Sequence, residues 1–383
     1  MRIQCNREQL LAAFQTAALV ASSRSPKPIL QNVKIEVQGD KAVLMATDME
    51  VGIRIEVTGL TTEVPGCALL SVQQFGSILR ESSDEALSID SDGQAVTVRG
   101  QRSRFRLPSG NPQEFPQIAE FATDNYHTLP ARLLKELIRR TLFATDTESS
   151  RYALGGLLLE MESERVIVVG TDGRRLAKME GPAQVVGTPV GSSDAMTIVP
   201  SRSMQLIERS LTDGEAEVHL AMRGNDFMVQ SPTLMIISRL VEGRFPRWRD
   251  VLPNRPDAVQ IELTVGPLHA AVRQAAIVAS GESRGIDFTF GRGSLVLSGV
   301  TADVGESRVE MPIAYDGEEI TLCMDHRFLS DFLRVLDPET NFRLNIVDGD
   351  SAALCQTDDG YGYVIMPLAR DRQNRVRASV ASA

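Results

Sequence analysis

Residues whose side chains could bind a metal or act as a nucleophile are scattered along this 383-residue chain. The cysteines form no CxxC pair and the histidines no HxH or HExxH spacing; they are Cys5, Cys67, Cys323 and Cys355, and His127, His219, His269 and His326. Zinc and redox sites need closely spaced ligands, and no sequence motif proposes a Ser/His/Asp or Cys/His set. We therefore predict no metal site, no cofactor and no catalytic residue, so we do not expect an enzyme.

Three polar segments partly resemble ligand-binding loops. Asp90-Ser91-Asp92-Gly93 begins like a calcium-binding EF-hand loop, but Gln101 stands where that loop needs a bidentate Glu. Asp348-Gly349-Asp350 has the composition of a hairpin turn. The segment TDGRR, which starts at Thr171, lacks the spacing of a phosphate-binding P-loop. We interpret all three as turns between strands.

The composition is that of an ordinary globular protein, with 43% hydrophobic and 23% charged residues. No apolar run approaches the roughly 18 residues that a membrane span requires. The first residues, MRIQCNREQLLAAF, carry Arg7 and Glu8 where a signal peptide would be continuously apolar, so we expect a cytoplasmic protein. The formal net charge of −10 has the wrong sign for a protein that coats DNA. A role on DNA therefore requires positive charge to be collected on one surface.

The chain contains three long, similar segments. Each begins with Ser and a loop, passes through two β-rich stretches joined by a turn, and reaches a Thr/Asp pair; the segments are Ser25–Ile53, Ser150–Ala177 and Ser283–Ser307. The pairs are Thr47-Asp48, Thr171-Asp172 and Thr301 with Asp303, and Phe115-Pro116 recurs as Phe245-Pro246. Repeats of this length indicate duplicated domains, not a solenoid.

Each repeat has the pattern helix, strands, helix, strands. Apolar residues at helical spacing predict helices over Arg7–Val20, Val72–Glu81, Ala131–Ala144, Ser201–Leu211, Pro267–Ser280 and Asp325–Leu336. Alternating or β-branched stretches predict strands at Val33–Val37, Ala95–Val98, Val166–Val169, Phe227–Gln230, Ser294–Leu297 and Tyr363–Met366. We predict an α+β fold of three repeated domains, residues 1–124, 125–255 and 256–383, each with two helices packed on antiparallel sheets.

The predicted helices are richer in positive charge than the rest of the chain. The windows 6–20, 71–82, 130–144, 200–211, 266–280 and 325–336 hold eleven basic and six acidic residues, a charge of +5 that leaves −15 for the remainder. Helix surfaces often carry mixed charges of little consequence, and that interpretation stays open. The segregation also suits a molecule whose helices face DNA phosphates without reading sequence.

Several longer motifs identify a family. They are LLAAFQTAALVASSRSPKPIL, GQRSRFRLPSGNPQEFP, SSRYALGGLLLE, VVGTDGRRLA, TIVPSRSMQLIERSL, SRLVEGRFPRWRDVLP and GYVIMPL, in this order. Over essentially its full length the chain resembles the bacterial DNA polymerase III beta subunits, or beta sliding clamps. The resemblance implies a head-to-tail homodimer that closes a ring around duplex DNA, with twelve helices lining the hole and a continuous sheet outside. It also implies binding, without sequence preference, to double-stranded DNA, and partnership with the replicative polymerase, a clamp loader and other proteins that carry clamp-binding peptides.

A head-to-tail dimer needs two different complementary surfaces on one chain. At period two, Arg102, Arg104 and Arg106 fall on one face of a strand, and Phe105 and Leu107 fall on the other. By resemblance, the opposite surface comprises Ile277, Val278, Asp303, Glu306 and Glu310. The alternative is an ordinary edge strand with solvated arginines.

The family's partner-binding pocket lies between its second and third domains. The resemblance carries it over to Leu154, Thr171, Gly173, Arg174, Arg175, Leu176, Pro246, Val251, Val364, Met366, Pro367 and Leu368. Such a small apolar groove suits one or two side chains of a short peptide. Alternatively, Leu154, Leu176 and Val364 are core residues. Arg174 stands where the family often has His, and Asp250 where it often has a basic residue, so both could change which peptides bind best.

Contacts to DNA are implied for one loop residue, one aromatic residue and the basic residues of the helices. These are Arg24, Arg80, Lys135, Arg139, Arg140, Tyr152, Arg202 and Arg209. Past Met366-Pro367-Leu368 the chain continues with a basic tail from about residue 370, which we expect to be disordered and inert. Two other functions stay open: a peptide-binding scaffold of clamp fold that is not loaded on DNA, and an enzyme without a recognisable motif.

Overall fold

The computed structural model describes residues 1–21, 25–39, 41–146, 152–188, 196–252, 258–280 and 284–368. The predictions for Arg24 and for the tail from residue 370 lie outside these residues. The helices of the described residues are α1 (Arg7–Ala18), α2 (Val72–Glu81), α3 (Ala131–Leu142), α4 (Ser201–Ser210), α5 (Trp248–Val251), α6 (Val265–Ala275) and α7 (His326–Arg334). All six predicted helices are therefore confirmed, and the short α5 is additional.

Local sequence explains where the helices begin and which face is buried. Asn6 Oδ1 accepts hydrogen bonds from the backbone N–H groups of Glu8 and Gln9, and Asp325 Oδ1 accepts from the N–H of Arg327. These side chains satisfy donors that the first turn of a helix leaves free. In α1 the buried positions include Leu10, Phe14 and Ala17, spaced by four and three residues. In α7 they include Phe328, Leu329, Phe332 and Leu333.

The strands of the described residues form four sheets. Those of the N-terminal part are β1 (Arg2–Asn6), β2 (Asn32–Gln38), β3 (Lys41–Thr47), β4 (Val51–Val57), β5 (Leu60–Val64), β6 (Gly66–Ser71), β7 (Ala86–Ser91), β8 (Ala95–Arg99) and β9 (Arg104–Pro108). The central strands are β10 (Tyr126–Pro130), β11 (Gly156–Met161), β12 (Arg165–Thr171), β13 (Arg175–Pro182), β14 (Gln184–Val186), β15 (Thr197–Pro200), β16 (Glu217–Arg223), β17 (Asp226–Gln230) and β18 (Leu234–Arg239). The C-terminal strands are β19 (Val259–Thr264), β20 (Gly285–Gly291), β21 (Ser294–Thr301), β22 (Gly305–Pro312), β23 (Ile320–Asp325), β24 (Asn341–Ile346), β25 (Ala353–Gln356) and β26 (Gly362–Ile365).

The packing of the chain falls into two compact units. One consists of Met1–Lys135, Met161–Glu164 and Ala183–Val241, and the other of Glu136–Glu160, Arg165–Pro182 and Glu242–Ala383. The first unit holds a sheet with the order β5-β1-β7-β8-β9 and a second sheet with the order β14-β10-β16-β17-β18-β4-β3-β2-β6. The second unit holds the strands β11-β12-β13-β26-β25-β24-β19 in one sheet and β22-β21-β20-β23 in another.

Neighbouring repeats share sheets. In the first unit, β18 of the second repeat pairs antiparallel with β4 of the first, with Ile236 opposite Ile53. In the second unit, β13 of the second repeat pairs antiparallel with β26 of the third, with Leu176 opposite Val364. The middle repeat is therefore divided between the two units, although its predicted bounds, residues 125–255, come from a continuous stretch of sequence.

The Thr/Asp pairs form the same turn in the first two repeats. Thr47 Oγ1 donates to the carbonyl of Val51, and Thr171 Oγ1 donates to the carbonyl of Arg175. In both turns the Asp carboxylate accepts two backbone N–H groups within the next three residues. The residue after each Asp has a left-handed backbone, with φ +83° at Met49 and +86° at Gly173. These contacts explain why the pair recurs at the end of a strand.

Aromatic side chains fill the space between helices and sheets. In the first unit the ring centroids of Phe14 and Phe75 lie 5.1 Å apart, joining α1 to α2. In the second unit Phe332 of α7 stacks on Tyr363, with centroids 5.1 Å apart and an interplanar angle of 6°. None of the helices among the described residues is long and apolar enough to cross a membrane.

Candidate binding surfaces

The strand β9 is an exposed, basic sheet edge. It pairs with β8 alone in the strand order of its sheet, so its other side presents backbone groups without a strand partner. Arg104, Phe105 and Arg106 are exposed, and Arg102 is exposed in the turn before the strand. Arg106 forms an ion pair with Asp92 at 3.5 Å, and both side chains of this pair are exposed. The edge therefore keeps most of its positive charge.

A groove of about 540 Å³ runs between this edge and α2. Its floor is apolar, with Ile78 and Phe105, and its rim is polar; the lining residues are Ser77, Ile78, Glu81, Ser82, Ser83, Asp84, Gln101, Arg102, Ser103 and Phe105. The aromatic ring of Phe105 is 39% exposed although it stands on a strand of the sheet. Phe105 was predicted from the sequence to lie on this surface, whereas Ile78 of α2 was not. Its place near the end of an amphipathic helix is the sequence feature that could have indicated it.

The strand β22 is an exposed, mostly acidic edge in the second unit. It pairs with β21 alone in its sheet, and Glu306, Arg308 and Glu310 point to the exposed face. Arg308 lies 3.9 Å from Glu310 in an exposed pair, while Asp303 is exposed in the preceding turn. With three carboxylates and one guanidinium, this edge is net negative.

Exposed apolar residues adjoin the acidic edge. The 3-10 turn Ala276–Val278, which follows α6, leaves the side chain of Ile277 75% exposed, and Val304 in the turn before β22 is 57% exposed. Ser307 Oγ of β22 donates to the carbonyl of Ala275 at 2.8 Å, which fixes the turn against the strand. The turn that carries Ile277 and Val278 thus lies against β22, the strand that carries Glu306 and Glu310. Val304 was not among the residues predicted for this surface. The sequence feature that could have indicated it is an apolar residue in a turn between Asp303 and Glu306.

The predicted peptide pocket is built around the pairing of β13 with β26. Arg175 is opposite Ile365 and Leu176 opposite Val364, and the N–H of Met366 donates to the carbonyl of Arg174 at 2.9 Å. Opposed residues in an antiparallel pair project to the same face, and successive residues alternate. Leu176, Val364, Met366 and Arg174 therefore share one face, and Arg175 and Ile365 project from the other.

Arg175 is held behind that face by a set of buried contacts. Its Nε donates to Asp172 at 3.0 Å, Nη1 to Asp331 of α7 at 2.7 Å, and Nη2 to the carbonyl of Phe143 at 2.6 Å. The guanidinium lies over the rings of Phe143 and Phe328, 5.4 and 4.5 Å from their centroids. Burial lowers the pKa of Arg175, but Tyr363, Asp331 and Asp172 outweigh burial and hold it above its ordinary value. Arg175 thus joins the turn, α3 and α7.

A second set of contacts fixes α5, the helix that carries the predicted pocket residue Val251. Trp248 is buried and its indole N–H donates to Glu160 Oε1 at 2.9 Å, while both terminal nitrogens of Arg249 bind the same carboxylate. Arg249 also stacks on Trp248, 4.2 Å from the ring centroid. Burial raises the pKa of Glu160, but the hydrogen bonds from Arg249 and Trp248 outweigh this and lower it overall. The contacts of Trp248 and Arg249 therefore hold in place the helix that carries the exposed residues Asp250 and Val251.

The predicted pocket residues differ in exposure. Leu154, Leu176 and Val364 are 5%, 1% and 1% exposed, which fits the alternative that they are core residues. Val251 and Met366 are 41% and 44% exposed. Gly173, Arg174 and Pro246 are also exposed, Pro367 and Leu368 half-buried, and Thr171 is buried.

The equivalent junction between the first two repeats has different chemistry. There the N–H of Arg239 donates to the carbonyl of Glu50 at 3.0 Å, so Glu50 and Arg239 occupy the places of Arg174 and Met366. Gly52 replaces Leu176, and the side chain of Ile118 packs against its Cα. At the first junction, charged residues thus stand where the second has exposed apolar ones, and Ile118 fills the space beside Gly52.

The basic residues predicted to contact DNA fall into two groups. Arg80, Arg139, Arg202 and Arg209 are exposed, although Arg202 also pairs with Asp48 at 2.9 Å. Lys135 is half-buried, and its ammonium donates to the carbonyl of Leu211 at 2.8 Å. Arg140 is buried between Glu136 and Asp359, which leaves its guanidinium facing protein, not solvent. Tyr152 begins the 3-10 turn Tyr152–Gly155.

Comparison with known proteins assigns the family. The models of the DNA polymerase III beta subunit match residues 1–119 with the N-terminal domain, 128–247 with the central domain and 249–369 with the C-terminal domain. The beta sliding clamp of Pseudomonas putida is 31% identical over 375 residues, which are 96% of this chain and 100% of that protein. The beta sliding clamp of Escherichia coli K12 is 28% identical over 373 residues, with the same coverage.

Comparison of folds gives the same family as comparison of sequences. The crystal structure of the DNA polymerase III subunit beta from Pseudomonas aeruginosa has a TM-score of 0.88 at 29% identity, and the match covers 96% of this chain and 100% of that one. The predicted α+β fold of three clamp domains is thereby confirmed. With a full-length relative above 30% identity and a matching model for each domain, the chain belongs to the DNA polymerase III beta subunit family, the beta sliding clamps, which are non-catalytic processivity factors of DNA replication.

Proposed function

We propose that two copies of this chain close head to tail into a ring around duplex DNA, with β9 of each copy joined to β22 of the other. The observation that carries the proposal is the presence of two open sheet edges of opposite charge on one chain. Three arginines at β9 complement Asp303, Glu306 and Glu310 at β22. Joining the edges would pair their free backbone groups and remove both exposed edges.

The apolar residues beside each edge support the same junction. Ile277 is 75% exposed beside the acidic edge, and the groove between α2 and β9 offers an apolar floor beside the basic edge. Ile277 of one copy would enter this groove against Phe105 and Ile78 of the other. Burying an aliphatic side chain contributes roughly 1.5–3 kcal/mol, and a ring has two such junctions.

Exchange of charge between the edges tests the head-to-tail arrangement. In variant one, Arg102, Arg104 and Arg106 are changed to Glu; in variant two, Asp303, Glu306 and Glu310 are changed to Lys. Each variant alone would oppose like charges at both junctions and remain monomeric. A mixture would close one junction between the native edges and one between the exchanged edges, so light scattering should show a heterodimer. If each variant dimerises alone as the native chain does, the proposed junction is wrong.

Retention on DNA would come from ring closure, supported by weak phosphate contacts from the exposed arginines of α2, α3 and α4. Charges of this kind attract phosphates without regard to sequence, which permits sliding. The test loads the protein on circular DNA with a clamp loader and ATP and then linearises the circle. Loss of the protein on linearisation supports topological tethering. Stable retention on the linear DNA would refute it, and failure to load would favour a scaffold that binds peptides without DNA.

The exposed apolar residues at the β13–β26 junction support a peptide-binding role. Val251 on α5 and Met366 after β26 stand above the buried base formed by Leu154, Leu176 and Val364. A flexible methionine can repack against several related side chains, which suits a site shared by the replicative polymerase, the clamp loader and other partners. Met366→Asp should abolish peptide binding and leave the dimer unchanged in light scattering; equal peptide binding by this variant would place the site elsewhere.

A further inference from the structure

A small pocket lies at the first junction, between the end of α1, the turn after β3 and α4. It has a volume of about 140 Å³, and none of its lining residues belongs to the peptide pocket or to either open sheet edge. Val20, Val51 and Leu206 of its lining are 2%, 5% and 9% exposed, and Leu19 is 48% exposed. A cavity of this size with aliphatic walls can hold a benzene-sized group.

The equivalent place at the second junction is taken by the side chain of Arg175. Val51 and Arg175 both stand four residues after the Thr of their turn, and Leu206 and Asp331 both stand six residues after the N-cap of their helix. Arg175 donates to Asp331 at 2.7 Å and lies against two aromatic rings, so this ion pair fills the space. The shorter, apolar side chains of Val51 and Leu206 leave that space open at the first junction.

The rim of the pocket carries two arginines and one aspartate. Arg202 and Arg209 are exposed and stand seven residues apart on α4, which places them on the same face of the helix. Asp48 is already engaged, because Oδ1 accepts two backbone N–H groups and Oδ2 pairs with one nitrogen of Arg202 at 2.9 Å. A guanidinium has five N–H donors, so most donors of Arg202 are not used by this pair. The rim is therefore net positive beside an apolar floor.

We propose that this pocket binds a small aromatic anion, a carboxylate or phosphate joined to a single six-membered ring. The ring would enter between Val20, Val51 and Leu206, and the anionic group would pair with the two arginines of the rim. A cation would meet those arginines and would lack the second carboxylate that binds Arg175 at the other junction. Burial of the ring supplies the attraction, and the charge of the rim selects anions over neutral and cationic rings.

Three probes separate the contributions of ring and charge. Phenyl phosphate has both, benzyl alcohol has the ring alone, and benzylamine has the ring with a positive charge. Each is titrated into the full chain with labelled Leu and Val methyl groups, and NMR follows the methyl signals of Leu19, Val20, Val51 and Leu206. Phenyl phosphate should shift these signals with a dissociation constant on the order of 1 mM, about threefold or more below that of benzyl alcohol, and benzylamine should bind most weakly. Absence of shifts with phenyl phosphate, or equal affinity for benzylamine, would refute the proposal.

Two ways of filling the pocket test its position. Val51→Arg combined with Leu206→Asp rebuilds the ion pair of the second junction, and Leu206→Phe fills the space with a ring and no charge. Either change, in a variant that circular dichroism shows to be folded, should weaken phenyl phosphate binding at least about fivefold, read from the signals of Leu19 and Val20. Unchanged binding by a folded variant of this kind would overturn the assignment.

A matched pair of arginine variants tests the rim. Arg209→Gln should remove the advantage of phenyl phosphate over benzyl alcohol and leave the binding of benzyl alcohol as it is. Arg334 stands at the equivalent position of α7, nine residues after the N-cap, and its side chain is 69% exposed. Arg334→Gln should therefore leave the binding of both probes unchanged. Equal effects of the two substitutions would show that the rim of this pocket does not select the anion.

Discussion

Several arginines of this chain differ in exposure and in hydrogen-bond partners, and therefore in what they can bind. Adjacent arginines in one turn have opposite fates: Arg174 is exposed, while Arg175 is enclosed by two aromatic rings and two carboxylates. Successive side chains along a strand project to opposite faces, so Arg174 and Arg175 lie in different surroundings. The residue type alone could not show which of the two arginines is buried. Arg140 shows the same point among the predicted DNA contacts, since Glu136 and Asp359 bind a guanidinium that was expected to face phosphate.

Met49 holds a strained backbone at the turn after β3. Its φ of +83° matches that of Gly173 in the next repeat, and it is the one non-glycine with positive φ among the described residues. A side chain in this region costs on the order of 1 kcal/mol, which glycine avoids. Met49→Gly should therefore raise the free energy of unfolding by roughly 0.5–1 kcal/mol in urea titrations. Gly173→Ala, the matched change, should lower it; a loss of stability in Met49→Gly would contradict the strain.

His127 makes the stability of the first unit depend on pH. Its ring is fully buried, Nε2 donates to the carbonyl of Glu162 at 3.0 Å, and Nδ1 has no hydrogen-bond partner among the described residues. Burial lowers the pKa of His127, which the hydrogen bond to Glu162 only partly offsets. Since the unfolded chain takes up the proton more readily, the stabilising contribution is complete above the ordinary pKa of about 6.5 and declines as the pH falls below it.

The free energy of unfolding of the native chain should accordingly fall between pH 7.5 and pH 5.5, with His127 contributing to the decline. The measurement is a urea titration at fixed protein concentration at each pH. His127→Gln, which cannot be protonated, should show a shallower decline. Parallel curves for the two proteins would show that His127 is not responsible.

At the scale of elements, the same turn and helix join consecutive repeats in two different ways. At the first junction Arg202 of α4 reaches Asp48 of the turn, 2.9 Å away. At the second, Arg175 of the turn reaches Asp331 of α7, 2.7 Å away. The helix supplies the arginine and the turn the aspartate at the first junction, whereas the turn supplies the arginine and the helix the aspartate at the second. The second pair is the more buried. Since buried pairs are costly to break, the second junction should be the more sensitive to mutation.

Loss of Arg175 should strongly destabilise the second unit. Arg175→Met would remove the donor to Asp331 Oδ2 and to the carbonyl of Phe143, at a cost of about 3–5 kcal/mol in chemical denaturation. Arg175→Lys should recover only part of this, because an ammonium cannot make the same three contacts and stack between two rings. The double variant Arg175→Met/Asp331→Leu should be more stable than Arg175→Met alone. Equal stability of the two would show that the pair with Asp331 is not the source.

At the scale of the whole molecule, an acidic protein can act on DNA when its charges are separated. The net charge is −10, but the predicted helix windows carry +5, and one sheet edge is basic while another is acidic. The proposed ring uses the first separation to hold DNA weakly and the second to recognise its own copy. Both interactions are electrostatic and exposed in the single chain, so both should weaken with salt.

Ile277→Asp should open the proposed ring. Removing the exposed Ile277 from an apolar groove and adding a fourth carboxylate to the acidic edge should raise the dimer dissociation constant by at least about tenfold. Analytical ultracentrifugation across a concentration series measures the change. Val186→Asp alters an exposed valine on β14, away from both edges, and serves as control. An unchanged dissociation constant in Ile277→Asp would exclude the proposed docking of this residue.

Sequence patterns by themselves determined the six long helices, the strands, the repeated Thr/Asp turns and the family. Those features depend only on residues that are close together in the sequence. Examples are the spacing of apolar residues in the helices, the N-caps Asn6 and Asp325, and the alternation of Arg104, Phe105 and Arg106. Patterns of this kind also led to the expectation that no metal or catalytic centre exists.

Only the tertiary structure decided how the repeats share sheets and which candidate side chains are free to bind. The pairings of β18 with β4 and of β13 with β26 join residues far apart in sequence, so no local pattern specifies them. The burial of Arg140 and Arg175 and the exposure of Arg174, Ile277 and Val304 follow from those pairings. Local spacing determines the elements, whereas burial and ion pairing depend on which distant carboxylates and rings the packed sheets bring to each side chain.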